Sequence, residues 1–63
     1  MEILDIKNDL ARILYSPLND KKLMLSDFLV VQDANEIIFA QIINIETSRY
    51  EDCNIAVLKF VLN

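Results

Sequence analysis

Two apolar runs around one short polar break constrain this chain more than anything else in it. Residues 23–31 read LMLSDFLVV, residues 32–36 read QDANE, and residues 37–45 read IIFAQIINI. Runs of strand length, rich in Val, Ile and Phe and flanking a short turn, are the pattern of a β-hairpin. The first strand is expected over residues 28–31 and the second over residues 36–46. The turn falls on Asp33-Ala34-Asn35. In a chain without glycine, Asn35 is the turn residue best suited to a left-handed conformation. Asp27, just before the first strand, is expected to tie the incoming turn by accepting backbone N–H groups.

Both faces of the second strand are largely apolar, with Gln41 on one and Asn44 on the other. Ile37, Phe39, Ile43 and Ile45 fall on one parity, and Ile38, Ala40 and Ile42 on the other. A strand with one solvated side alternates cleanly, so this one is expected to be covered on both sides. Residues 55–62 form another apolar run, broken only by Lys59, and read as a last strand. It lacks the Pro or charge run that commonly blunts an edge. Residues 16–22 and 47–54 read as loops, the first because Pro17 removes a ladder donor and restricts Ser16. Residues 2–15 admit two readings. Ile3, Ile6, Leu10, Ile13 and Leu14 recur at helical spacing, which fits a helix over 2–14. Lys7-Asn8-Asp9 is a good turn, which fits two strands over about 2–6 and 10–15.

The expected fold is therefore mainly β, a single small domain over residues 1–63. It is a small antiparallel β-barrel of about five strands, either truncated or completed by oligomerisation. Its expected core is Ile13, Phe28, Val30, Phe39, Ile43, Val57 and Phe60. The expected interface is Ile38, Ala40, Ile42, Ile55 and Val57. A chain of 63 residues with 54% hydrophobic content has more apolar material than so small a body can enclose. Domains of this size bury only about 60% of their unfolded surface. Exposed apolar patches mark partner surfaces, so self-association is expected. Replacing Ile38 or Ile42 by Lys should then loosen the oligomer and leave the monomer folded.

Chemistry is sparse. The chain has no His and no Gly, and Cys53 is its one cysteine. Without His, the commonest general base and metal ligand is missing. Without Gly, phosphate loops and dinucleotide fingerprints are excluded. Cys53 lies between Asp52 and Asn54 with no base to activate it. Glu51-Asp52 reads as a solvated acidic pair. No catalytic, metal or cofactor site is expected, and no enzymatic activity in this chain. The net charge of −4, from six basic and ten acidic residues, disfavours nucleic-acid binding, which needs a basic surface. Lys21-Lys22 reads as solvated loop. Phe28, Phe39 and Phe60 sit inside apolar runs and read as core, with Tyr15 and Tyr50 as rim residues. No apolar run approaches the roughly 20 residues of a spanning helix, and no signal peptide is evident. A cytoplasmic setting without a membrane is expected.

Leu10-Ala11-Arg12-Ile13-Leu14, residues 23–31, and Ala40-Gln41-Ile42-Ile43-Asn44-Ile45 together resemble the HAS barrel. This is the small β-barrel shared by HerA-type DNA-translocating ATPases and the N-termini of rotary ATP synthase subunits. Arg12, Asp27, Phe28 and Gln41 match the family pattern. Ala11 and Ser26 stand where that pattern has glycine. The resemblance covers roughly residues 10–62 and favours two strands at the start of the chain. It implies a non-catalytic module at the N-terminus of a longer HerA-like ATPase, holding a hexameric ring or docking partners. A free-standing β-barrel that binds a peptide or protein is the competing expectation.

Overall fold

The computed structural model describes residues 1–32 and 35–61, with the backbone alone for Val31 and Gln32. Five strands follow one another: β1 (Glu2–Lys7), β2 (Leu10–Tyr15), β3 (Phe28–Gln32), β4 (Ile37–Thr47) and β5 (Asn54–Phe60). They form one antiparallel sheet in the order β1-β2-β5-β4-β3. Strands β3, β4 and β5 are a meander, and β2 returns beside β5 through the long 16–27 connection. Strands β2 to β5 therefore make a Greek key, with β1 added as a hairpin arm.

The mainly-β expectation holds, and residues 2–15 are two strands rather than a helix. The expected barrel does not: the sheet is open. Strand parity bears on closure. Five successive antiparallel neighbours leave the two outer strands, β1 and β3, running in the same sense. Direct closure would make one parallel pair in an otherwise antiparallel barrel, and parallel pairing is the slightly weaker kind.

The register explains the helix-like spacing at the start of the chain. Ile3 faces Ile13 across the β1–β2 ladder and Ile6 faces Ala11, with a one-residue slip between Ile3 and Asp5. A bulge at Leu4 thus puts two residues three apart on the same face, which a regular strand never does. Strand β4 repeats the device. Ile42 faces Leu58, but Asn44 faces Val57, so Ile43 is the extra residue. Ile38, Ala40 and Ile42 point inward before the bulge and Ile45 after it.

The core is the concave face of the three central strands: Ala11, Ile13 and Tyr15 from β2, Ala56 and Leu58 from β5, Ala40 and Ile42 from β4. Small residues stand opposite large ones in register, Ala11 against Leu58, Ile13 against Ala56 and Ala40 against Phe60. That alternation lets facing side chains interdigitate where the sheet curls. Leu23, from the long connection, closes one end of this core. Four of the expected core residues are exposed. Phe28 is 64% exposed, Val30 59%, Phe39 51% and Ile43 46%. The bulge misled the parity reading of β4, and β3 is an edge strand with little packed on its convex side. Ile13 is core as expected, Phe60 packs at its margin, and Val57 is half-buried on the convex face. Tyr15, expected at the rim, is buried; Tyr50 is exposed.

Candidate docking surfaces

The inner surface of the curled sheet bounds a cavity of about 600 Å³. Ala11, Ile13 and Leu58 form its floor. Ile3 and Ile6 of β1 make one wall, and Leu29 of β3 and Ile38 of β4 help make the other. All of these side chains are apolar. Among the described residues β1 pairs only with β2, and β3 only with β4. Two free strand edges therefore rim one apolar hollow.

A second surface lies on the convex side. Val30 is paired with Phe39, and Phe28 with Gln41. These residues share a face with Ile37 and Ile43, and Phe28, Val30, Ile37, Phe39 and Ile43 are all exposed. Further along the same side, Arg12 faces Asp5 across the β1–β2 ladder and the two form an ion pair. The Arg12 Nε–H donates to the Asp5 carboxylate at 2.9 Å. That hydrogen bond holds the Asp5 carboxyl below the usual carboxylate range and raises Arg12, and the attraction of the two charges adds to both shifts.

The turn before β3 is fastened by backbone groups. The Ser26 N–H donates to the Ile42 carbonyl at 2.8 Å, and the Ile42 N–H donates to the Asp27 carbonyl at 2.9 Å. Gln41 Nε2 donates to the Ser26 carbonyl at 3.2 Å. Asp27, expected to act through its carboxylate, thus anchors the turn through its own main-chain carbonyl. Ser26 has a φ of 72°, a left-handed position that favours glycine. The other left-handed residues described are Asn8, in the β1–β2 turn, and Asp52, in the β4–β5 loop. Asn35 is exposed and adjoins residues 33 and 34, so the turn expected there lies outside the described residues.

The five expected interface residues are divided by the fold. Ala40 and Ile42 are buried in the chain's own core. Ile38 is half-buried and lines the cavity. Ile55 and Val57 are half-buried on the convex side, facing Leu14 and Arg12. The exposed surfaces instead involve Ile3, Ile6 and Phe39. The first two were visible in sequence only as a spacing of three, which a bulge and a helix produce alike.

No cluster of His, Cys, Asp and Glu able to hold a metal occurs among the described residues. No helix there is long and apolar enough to cross a membrane. Cys53 is half-buried, and its carbonyl accepts a 2.8 Å hydrogen bond from Ser48 Oγ within the β4–β5 loop. Comparison of the chain with protein-family models, with characterised proteins and with solved structures finds no match.

Proposed function

We propose that the chain is a non-catalytic assembly and docking module of the HAS-barrel kind. In this reading it is the N-terminal part of a HerA-like DNA-translocating ATPase, in a cytoplasmic setting, and supports ring assembly or partner docking. The observation that carries the proposal is the convex apolar patch centred on Phe39. Burial of apolar surface contributes about 25 cal/mol per Å², so a patch of a few hundred Å² offers several kcal/mol before association costs. Two details favour the family reading. Ser26 adopts the left-handed geometry where the family pattern has glycine. Ala11, at the other glycine position, is buried opposite Leu58, where a larger side chain would collide.

Sedimentation of the purified chain tests the assembly role. Concentration-dependent association is expected, and Phe39→Lys should abolish it while circular dichroism stays β-like. A pure monomer at high micromolar concentration would remove self-assembly from the proposal. The reading frame tests the context: a downstream ATPase with a phosphate loop is expected. The second reading, a free-standing small β protein that binds a peptide or protein, is favoured by the apolar cavity. A stop codon directly after Asn63 would select it.

A further inference from the structure

We infer that the gap between the free edges of β1 and β3 is a docking site for one extended segment of another protein. The segment runs antiparallel to both edges, with alternate apolar side chains in the cavity and Lys or Arg at its solvent-facing positions. The inference rests on the docking-module reading and names its site and the chemistry of its partner.

Three observations carry it. Parity is the first. β1 and β3 run in the same sense, so a single inserted strand is antiparallel to both and completes an all-antiparallel barrel. A peptide added to a sheet edge gains main-chain hydrogen bonds, and alternate side chains give it specificity; here two edges receive the same strand. The cavity is the second. Its volume of about 600 Å³ lies within the roughly 300–1,000 Å³ of ordinary ligand pockets. Its lining of Ile3, Ile6, Ile13, Leu29 and Leu58 suits branched apolar side chains.

Surface area is the third. The chain exposes 4940 Å². A folded monomer of its 7.3 kDa mass is expected to expose about 4,200 Å². The excess, roughly 700–800 Å² over the gap and the convex patch together, is comparable to the ~800 Å² that each partner contributes to a standard stable interface.

Charge selects the occupant. At a net charge of −4, a basic segment is favoured in the gap over an acidic one. Glu2, at the start of β1, and Asp27, just before β3, stand at the same end of the gap and are both exposed. Lys21 and Lys22, in the connection leading to Asp27, balance that charge, and the N-terminal ammonium pairs with Asp20 beside them, so the attraction comes from the chain as a whole rather than from this end.

The test uses the purified chain and a fluorescein-labelled seven-residue peptide that alternates lysine with valine and isoleucine. Fluorescence anisotropy should show saturable binding with Kd on the order of 10–100 μM. Methylating alternate peptide amides, replacing the lysines by glutamates, or introducing Ile6→Ser or Ile3→Ser should each weaken binding by about tenfold or more. Tyr50→Ser, in the β4–β5 loop away from the gap, should leave it unchanged. No saturation at millimolar peptide, or binding indifferent to amide methylation, overturns the inference. A dimer that Ile6→Ser dissociates and Phe39→Lys does not would overturn it in favour of a second copy in the gap. If the peptide fails while assembly sensitive to Phe39 persists, this inference falls and the assembly role stands.

Discussion

The three central strands and the two outer ones are made of similar residues and meet different fates. β2 reads LARILY and β1 reads EILDIK. Every residue of β1 is exposed, whereas β2 buries Ala11, Ile13 and Tyr15. β3 exposes Phe28 and Val30, while its neighbour β4 encloses Ala40 and Ile42. Each buried strand has a partner on both sides, and each exposed strand has one. Position in the sheet, more than hydrophobicity, decides burial here. Stability therefore concentrates in the centre, and unsatisfied apolar surface collects at the flanks and on the convex patch.

The strongest way to break this contrast is to truncate the centre. Leu58 lies between Ala11 and Ile42 in register and is fully buried. Leu58→Ala is expected to cost about 2–5 kcal/mol. A 63-residue domain commonly has only about 3–9 kcal/mol in total, so this variant should be partly or wholly unfolded in urea titrations. Ile42→Lys, which the sequence alone suggested would loosen an oligomer and leave the monomer folded, should abolish the fold because Ile42 is 1% exposed. Ile37→Ser on the convex face should stay within about 0.5 kcal/mol of the parent. Equal losses for Leu58→Ala and Ile37→Ser would erase the distinction between centre and flank.

A smaller effect is expected at the joint between the two regions. Ser26 holds the start of β3 against β4 in a left-handed conformation. Ser26→Val should cost about 1–2 kcal/mol, because a β-branched residue clashes there. Ser26→Gly should be neutral or slightly stabilising, the relief of strain being offset by about 0.5–1 kcal/mol of chain entropy. Chemical denaturation compares the two. A cost for glycine equal to that for valine would mean that the Ser26 side chain, rather than its backbone angle, matters.

Much of this contrast was legible before the fold was. The β class, the break at Lys7-Asn8-Asp9 and the loop at Pro17 are local signals, carried by turn chemistry and β-branched runs. The faces of β4 were not legible, because the bulge at Ile43 shifts the inward parity within one apolar run. Ile3 and Ile6 looked helical for the same reason. The sheet order was also hidden. That β5 lies between β2 and β4 depends on pairing across some forty residues, and nothing in the 55–61 run names its neighbours. Ser26 carried a signal only through the family pattern, where glycine marks the position.

The smallest expected effect is electrostatic, and it asks how firmly β1 is held. Asp5 of β1 meets Arg12 of β2 on the exposed convex side. The hydrogen bond from Arg12 lowers the Asp5 carboxyl below its ordinary value; slight desolvation opposes this, and the charge of Arg12 reinforces it. A carboxylate whose folded value is lowered stabilises the fold above its ordinary range. That contribution is lost as the pH falls through the lowered folded value. Both groups are solvated, so the gain is small and is screened further by salt. Asp20 is the control. Its carboxyl is also lowered, chiefly by the Ser16 N–H at 2.8 Å, within the 16–27 connection rather than the β1–β2 ladder. In a carbon-13 carboxyl titration, Arg12→Gln should return Asp5 to the ordinary aspartate range and leave Asp20 lowered. If Asp5 does not move, the ion pair is not formed in solution. β1 would then be held to the sheet by its backbone ladder and inward isoleucines alone, freer still to receive or yield a strand at its edge.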